Sequence, residues 1–262
     1  MERGKTDGCT RDQLHRPKYG KNPFKEGSAE SLCFGNGDSR TNGELVFFNT
    51  ISSAIKSIYD IGADTSNYLQ FSGEVHYFEP IASSNIFRQI STDNSKSYFN
   101  VFGLSNITSD KLRITWETGD VLPNPTGEDT LLGDNIYMRT MRAEDYMIEN
   151  DFNSVDFVSI DTEGHEYQVL QGFGDFLHNV KVIQFEYGGC TWAAGNKLGD
   201  MITYLQRFNF GGFSYLHPQG LVPVNWDKYP IEHYDFCNIV CVNAKYSKEL
   251  EESPLAPWVK IR

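Results

Sequence analysis

One short segment of the sequence concentrates side chains suited to proton transfer. Positions 159–166 read Ser-Ile-Asp-Thr-Glu-Gly-His-Glu, and carboxylates and histidine are common general acids and bases. Helix capping explains Glu163 and Glu166, because the helix dipole favours acidic residues in a first turn. Capping does not explain why Asp161 directly ends an apolar strand, a place where polar groups usually face a ligand. The segment is therefore predicted to be functional.

Two further polar signals end the first two predicted strands. In Asp60-Ile61-Gly62-Ala63-Asp64, the glycine can adopt a turn closed to other residues and let a ligand approach the backbone. Glu79-Pro80 ends the second strand, 17 residues after Gly62 (79 − 62), where an acidic side chain would meet the ribose hydroxyls of a nucleotide. The structural alternative is an ordinary glycine turn and a surface glutamate.

The chemistry of the glycine turn favours S-adenosylmethionine over a dinucleotide. Both cofactors present a ribose, but a dinucleotide requires a G-x-G-x-x-G turn for its pyrophosphate. The sequence places the carboxylate of Asp64 there instead, and this charge would repel a pyrophosphate. A sulfonium and an amino group tolerate it. A weaker signal, Leu104-Ser105 after the third strand, could contact an adenine ring.

The pattern of apolar runs predicts the elements that hold these residues. From Glu44 onward, short apolar runs alternate with amphipathic stretches, which is typical of βα units in a doubly wound α/β fold. Ligands of such folds bind beyond the carboxyl ends of the strands. We expect about seven strands, at 57–60, 74–78, 98–103, 155–160, 180–186, 213–216 and 236–242, with further strands at 111–117 and 136–140 in a less regular insertion. Helices are expected at 45–56, 81–90, 142–149, 166–177 and 198–208.

Composition excludes several classes of protein. The 262 residues carry a net charge of −12, which repels phosphate backbones and argues against a nucleic-acid partner. No apolar run approaches the roughly 20 residues that cross a bilayer, and the polar first residues do not resemble a signal peptide. The five cysteines are scattered without a C-x-x-C pair, so neither a disulfide framework nor a zinc site is indicated. We expect a cytoplasmic protein that does not bind a membrane.

The first 43 residues differ from the rest. They lack a sustained helical or strand period, and residues 1–28 carry seven basic and four acidic side chains. We therefore predict a basic N-terminal arm or linker at 1–43, followed by one domain at 44–262. The arm is either a solvated extension or a basic flap over an acidic substrate.

Together, the four strand ends resemble the FkbM family of S-adenosylmethionine-dependent methyltransferases. Positions 60–63, 78–80, 104–105 and 160–166 are similar, in order, to the family's acid-hydrophobic-Gly-Ala turn, Phe-Glu-Pro, Leu-Ser pair and Ile-Asp-x-Glu-Gly-x-Glu segment. The resemblance spans roughly 44–262. It implies a Rossmann-like, doubly wound, seven-stranded mixed sheet of the class I methyltransferase type. It also implies O-methylation of a hydroxyl on a sugar or natural product.

The resemblance also implies roles for individual residues. Cofactor contacts would come from Asp60, Gly62, Ala63, Asp64, Glu79, Pro80, Leu104 and Ser105. Catalytic groups would be Asp161, Glu163 and His165, with the histidine behind the two acids as a base because its position varies in the family pattern. Substrate contacts would come from Glu166, Glu186 and Trp192. The ring of Trp192 would stack on a sugar or, alternatively, pack under a loop.

Two other functions remain open at this stage. The first is an NAD-dependent sugar oxidoreductase, against which Asp64 argues. The second is a catalytically degenerate methyltransferase fold that binds a glycan or a partner. Ser66 keeps it open, because it stands where the family usually has glycine and could crowd the methionine portion of the cofactor. A divalent metal bound by the acidic residues is a further alternative that we do not favour. The sequence does not define the oligomeric state.

Overall fold

Strands and short helices alternate along most of the chain. The computed structural model describes residues 37–63, 66–88, 96–116, 121–123, 136–217, 220–224, 226 and 232–252. The strands are β1 Ser57–Ile61, β2 Glu74–Phe78, β3 Ser97–Asn100, β4 Gly103–Leu104, β5 Ser109–Trp116, β6 Val121–Pro123, β7 Ile136–Met141, β8 Val155–Ile160, β9 Val180–Tyr187, β10 Phe210–His217, β11 Gly220–Pro223 and β12 Cys237–Asn243. The α-helices are α1 Glu44–Ile51, α2 Ala143–Glu149, α3 Glu166–Gly172, α4 Gly189–Ala193, α5 Leu198–Gln206 and α6 Ser247–Glu251. Short 3₁₀ helices cover Ser52–Ala54, Asn85–Arg88, Gly174–Asn179 and Ala244–Tyr246.

A large mixed sheet organises the molecule, with strand order β11-β10-β12-β9-β8-β1-β2-β3. The strands from β3 to β9 in this order are parallel. The last strand, β12, lies antiparallel between β9 and β10. The predicted doubly wound mixed sheet is confirmed. It holds one strand more than the seven expected, because β11 pairs with β10 as an additional edge strand.

A second sheet of order β4-β7-β5-β6 corresponds to the predicted irregular insertion. The strands expected at 111–117 and 136–140 are both found in it. The single strand predicted at 98–103 is wrong, since β3 ends at Asn100 and Gly103 and Leu104 pair with β7 instead. The apolar run therefore divides between the two sheets.

Two predicted helices are shorter than expected. At 81–90, the described part contains a 3₁₀ turn, Asn85–Arg88, in place of an α-helix. The preceding Ser83 and Ser84 are residues whose side chains compete with the backbone for hydrogen bonds. The helix predicted at 166–177 ends at Gly172 and continues as a 3₁₀ helix from Gly174, whose φ of +52° is left-handed.

The core lies on both faces of the large sheet. On one face, Phe47, Phe48 and Ile51 of α1 pack over the parallel strands. On the other face, α2, α3 and α5 contribute the buried side chains Met147, Leu170, Met201, Ile202 and Leu205. Helices on both faces bury most of β1, β2, β8 and β9, whereas β3 at the edge of the sheet is partly exposed.

The residues just before α1 pack against the domain. The backbone N–H groups of Thr41 and Asn42 donate to the carbonyl of Asp38, closing a turn. The side chain of Asn42 is buried, with 2% of its surface exposed. Gly43 has a φ of +102°, and a Cβ there would lie 2.8 Å from the backbone of His217. Ordered packing therefore extends to the residues before Glu44, whereas the rest of the predicted arm, 1–36, lies outside the described residues.

Within the described residues, no helix is both long and apolar enough to cross a membrane. The described cysteines, Cys190, Cys237 and Cys241, are buried free thiols.

Candidate active site

The carboxyl ends of β1, β8 and β9 bring three predicted site residues to one edge of the sheet. These strands are parallel neighbours, and their last paired residues lie in register immediately before Gly62, Asp161 and Glu186. Residues at equivalent positions on paired strands lie side by side. This edge of the sheet therefore combines the glycine turn at Gly62 with the carboxylates of Asp161 and Glu186.

The turn after β1 requires a glycine. Gly62 has a φ of +84°, and a Cβ there would lie 1.8 Å from the carbonyl oxygen of Asp161. The N–H groups of Gly62 and Ala63 both point to the carbonyl of Phe78, at 2.9 and 3.3 Å. The turn is thus fixed against both neighbouring strands. Ala63 is buried, and Asp64 lies outside the described residues.

The acidic residue after β2 is buried and held. Glu79 is 6% exposed. Its backbone N–H donates to the carbonyl of Asn100, and its Oε1 accepts a 2.7 Å hydrogen bond from the N–H of Ile81. Pro80 follows, with its ring against Gly103. Glu79 is therefore a fixed acceptor at the end of β2.

A second buried carboxylate lies on β1 two residues before the glycine. Asp60 is 7% exposed, and its Oδ2 has no hydrogen-bond partner among the residues that the structure describes. Burial raises the pKa of Asp60 to about 7, with smaller contributions from the charges of Asp161, Glu44 and Glu79 and an opposing hydrogen bond with Ser66. An unpaired buried oxygen is costly, so this atom is suited to a cationic or hydrogen-bond-donating ligand.

Asp161, Glu163 and Glu186 form the carboxylate cluster. One oxygen from each lies within 4.8 Å of the others. Burial raises the pKa of Glu186 well above its ordinary value, and the neighbouring charge and hydrogen bond of Asp161 raise it further. Two close carboxylates share a proton rather than both ionising. Oxygen ligands of this kind also suit Mg²⁺, so these are the described residues that could hold a cation.

Glu166 stabilises the loop that carries Asp161 and Glu163 by accepting hydrogen bonds from it. Oε1 of Glu166 accepts 3.0 Å hydrogen bonds from the backbone N–H groups of Thr162 and Gly164 and from the Thr162 hydroxyl. Glu163 itself has a left-handed φ of 53°. Burial raises the pKa of Glu166 to about 7. In this position Glu166 organises the loop, and its predicted contact with a substrate stays a prediction.

His165 lies beside the other predicted cofactor segment. Its Nε2 is 2.9 Å from the hydroxyl oxygen of Ser105, and within the described part of the chain its Nδ1 has no hydrogen-bond partner. Burial lowers the pKa of His165 to about 4, so the imidazole is neutral at pH 7. Leu104 and Ser105 are buried. The hydroxyl of Ser105 is thus engaged by His165, and the predicted contacts of both residues with adenine stay predictions.

The chain beyond β9 carries Trp192 and a hydrogen-bond network centred on Glu232. Trp192 lies half-buried on α4. The hydroxyl of Tyr187 donates to Oε2 of Glu232 at 2.9 Å, and Glu232 also accepts from the N–H groups of Leu198 and Gly199 at the start of α5. The helix start, the end of β9 and the segment before β12 are therefore joined through one carboxylate.

Comparison with known protein families gives a match over the residues that form this edge. The family described as the methyltransferase FkbM domain matches residues 59–211, more than half of the chain. The chain belongs to the FkbM methyltransferase family. The matched range of the FkbM domain contains Asp60, Glu79, Asp161 and Glu186. The helix α1 and the strand β12 lie outside it.

Two solved structures are similar to this FkbM-family chain at a low level. The crystal structure of methyltransferase FkbM from Methylobacillus flagellatus KT is 14% identical with a TM-score of 0.43, over 71% of this chain and 43% of that one. The crystal structure of precorrin-6y C5,15-methyltransferase from Geobacter metallireducens GS-15 is 10% identical with a TM-score of 0.39, over 87% of this chain and 100% of that one. Likeness at this level supports no conclusion about activity. This chain spans less than half the length of the Methylobacillus protein, and no curated protein matches it.

Several residues that shape the FkbM site carried no signal in the sequence. Asn196 donates from Nδ2 to the carbonyl of Gly164 at 2.8 Å and so fixes the loop that carries Asp161 and Glu163. Glu232 accepts from the start of α5, and Glu44 accepts from Asn238 on β12. These are polar residues outside any recognisable motif, and only the folded chain brings them to the carboxylate edge.

Proposed function

We propose that this FkbM-family chain is an S-adenosylmethionine-dependent O-methyltransferase that acts on a hydroxyl group of a sugar or glycan. The observation that supports the proposal most directly is the carboxylate cluster, which lies beside the glycine turn rather than elsewhere on the sheet. A cofactor turn and a proton acceptor in one crevice are what methyl transfer to a hydroxyl requires.

The residues around the turn fit S-adenosylmethionine. Gly62 lets the turn after β1 pack directly against the backbone of Asp161, which places the turn next to the carboxylate cluster. The unpaired Oδ2 of Asp60 is an acceptor suited to the amino group or sulfonium of the cofactor. Glu79, fixed at the end of β2, is suited to the ribose hydroxyls. When bound, the cofactor supplies an electrophilic methyl group to the substrate.

The carboxylate cluster supplies the base for this reaction. Glu186 carries the proton of the Asp161–Glu186 pair, because burial and the neighbouring charge raise its pKa. Asp161 is exposed, so it can accept a hydrogen bond from a substrate hydroxyl and then take its proton as the oxygen is methylated. Such general-base assistance typically contributes about 10²–10⁴-fold to the rate.

Glu163 and Trp192 are the residues that we assign to the acceptor. An oxygen of Glu163 lies within 4.8 Å of an oxygen of Asp161, so its carboxylate can accept a hydrogen bond from a second hydroxyl of a sugar. Trp192 offers a half-buried ring on the next element of the chain, and aromatic rings stack on the apolar faces of sugars. Neutral His165 is a positioning group for Ser105 rather than the principal base, because its pKa is low.

The first test separates the cofactor from the acceptor. Isothermal titration of the full chain with S-adenosylhomocysteine, and separately with NAD, tests the turn without any knowledge of the substrate. We expect micromolar binding of S-adenosylhomocysteine and none of NAD. Binding of NAD alone would indicate an oxidoreductase, and binding of neither would indicate a degenerate module.

The second test distinguishes the proposed cofactor-binding residue Glu79 from the proposed base Asp161. Glu79→Ala is expected to weaken S-adenosylhomocysteine binding by about 1.5–3 kcal/mol, because it removes a charged hydrogen-bond acceptor. Asp161→Ala is expected to abolish methyl transfer to a responsive sugar from a panel of glycosides, with cofactor affinity largely kept. The control is Asp175→Ala, an exposed acid on the 3₁₀ helix Gly174–Asn179. Equal loss of cofactor binding in the two site variants would contradict these roles.

A further inference from the structure

Glu44, the first residue of α1, collects hydrogen bonds from three different parts of the chain. Its Oε1 accepts from the side-chain amide of Asn42, in the turn before the helix, and from Nδ2 of Asn238 on β12 at 2.9 Å. Its Oε2 accepts from Nδ2 of Asn67 at 3.3 Å. The backbone N–H of Glu44 also donates to Oδ1 of Asn42 at 3.0 Å.

One of these partners belongs to the segment that continues the cofactor turn. Asn67 follows Ser66, which is hydrogen-bonded to the side chain of Asp60. The hydroxyl of Ser39 donates to Oδ1 of Asn67 at 2.8 Å, while Glu44 accepts from its Nδ2. Ser39, before α1, and Glu44, at its start, thus bind both polar atoms of the Asn67 side-chain amide.

Another partner belongs to the carboxylate edge. Asn238 on β12 lies in register opposite Glu186 on β9, and it is 6% exposed. Glu44 therefore bridges the segment after the glycine turn and the strand next to the acidic cluster. The two bridged residues, Asn67 and Asn238, are far apart in sequence, so no local hydrogen bond could replace this connection.

We propose that Glu44 is a positioning residue for cofactor binding. It fixes the segment 66–68 against β12 and so holds the glycine turn in the conformation that binds the cofactor. Residues 38–44, which we call the N-terminal clasp, supply Ser39 and Asn42 to the same network. The identity of the ligand rests on the proposed function, but the role of the clasp in fixing residues 66–68 against β12 does not.

A carboxylate suits this position because the side chains of Asn42, Asn67 and Asn238 all donate to it. An ionised carboxylate accepts on both oxygens, whereas a glutamine offers one acceptor and one donor. In Glu44→Gln, the new N–H₂ would face the amide donor of either Asn67 or Asn238. Although Glu44→Gln is nearly isosteric, it therefore loses the hydrogen bond with either Asn67 or Asn238. Rotation of the glutamine amide by 180° changes only which of the two hydrogen bonds is lost.

Hydrogen exchange of the ligand-free protein tests the clasp independently of the cofactor. Glu44→Ala and Glu44→Gln are expected to raise amide exchange across residues 66–71 at least fivefold, as local opening becomes easier. The matched control is Glu149→Ala, an exposed glutamate on α2 outside this network. Unchanged exchange in residues 66–71 of both variants would overturn the proposal, even if the titrations reveal no S-adenosylhomocysteine binding to the wild type.

Cofactor titration and kinetics then test the consequence for binding. With wild-type binding established, the Kd of S-adenosylhomocysteine is expected to rise roughly tenfold in Glu44→Ala, a shift of about 1.4 kcal/mol. The KM for S-adenosylmethionine should rise with it, while kcat at saturation stays within twofold. A fall in kcat with an unchanged KM would overturn the positioning role, as would loss of stability with unchanged Kd.

A double-mutant cycle covers the case in which Glu44→Ala folds poorly. Asn67→Ala removes the same contact from the other side, and the Glu44→Gln/Asn67→Ala double variant removes both partners. If the residues act through their contact, the double variant loses less affinity than the two single changes combined. Fully additive losses would overturn the proposal.

Discussion

Replacement of Asp60 by asparagine should change how the stability of the protein depends on pH. Asp60 is buried on β1, and burial raises its pKa from 3.8 to about 7. Between these values, the folded protein retains a proton that the unfolded chain has lost. The stability that Asp60 contributes is therefore present below about pH 4 and is lost as the pH rises to about 7.

The size of the effect follows from the difference between the two pKa values. A shift of about three units corresponds to at most about 4 kcal/mol, at 1.36 kcal/mol per unit. The asparagine side chain would be uncharged at every pH and would keep one acceptor oxygen for Ser66. The free energy of unfolding of Asp60→Asn, relative to the wild type, should therefore rise by about 2–4 kcal/mol between pH 4 and pH 8.

Urea denaturation at pH 4, 5, 6, 7 and 8 measures this difference. Glu166 and Glu186 also have raised pKa values, but they are present in both proteins and largely cancel in the comparison. Asp175→Asn provides the control, since this acid is exposed, and its curve should run parallel to that of the wild type. A constant difference between Asp60→Asn and the wild type across the range would refute the reasoning.

Two further predictions concern the same edge of the sheet. Gly62→Ala should abolish S-adenosylhomocysteine binding in titration and lower the melting temperature, because the new methyl group would lie 1.8 Å from the carbonyl oxygen of Asp161. Treatment with EDTA should leave methyl transfer unchanged, because in the proposed mechanism the carboxylate of Asp161 takes the proton without the help of a metal ion.

A different result would contradict each of these two predictions. Normal affinity and melting temperature in Gly62→Ala would mean that the turn tolerates a side chain, with Gly211→Ala as the matched control because a Cβ there meets nothing within 4 Å. Loss of activity in EDTA, restored by Mg²⁺, would show that the cluster binds a metal in the reaction. The carboxylates would then be ligands rather than a proton-sharing pair.

The sequence predicted the inner strands and their carboxyl ends well, for a physical reason. Parallel strands covered on both faces are mostly apolar, so runs such as Val155–Ile160, with four apolar residues in VDFVSI, stand out from the surrounding chain. The polar residue that ends such a run lies at the ligand edge whatever the details of the helices. Asp161 and Glu186 could therefore be placed near Gly62 before any contact was known.

Residues whose role depends on the folded arrangement could not be predicted in this way. The apolar run at 98–103 gave no sign that it divides between two sheets, because hydrophobicity does not specify which strand pairs with which. Glu44 and Asn238 are 194 positions apart, and neither lies in a motif.

The place of β12 between β9 and β10 has a consequence for synthesis of the protein on the ribosome. Until residues 237–243 emerge, β9 has no partner on one side, and its backbone presents an open edge to other chains. The long sequence separation between β9 and β12 makes closure of this edge slow. A fragment cut at residue 211, where the family match ends, would keep that edge permanently. We therefore expect such a fragment to aggregate.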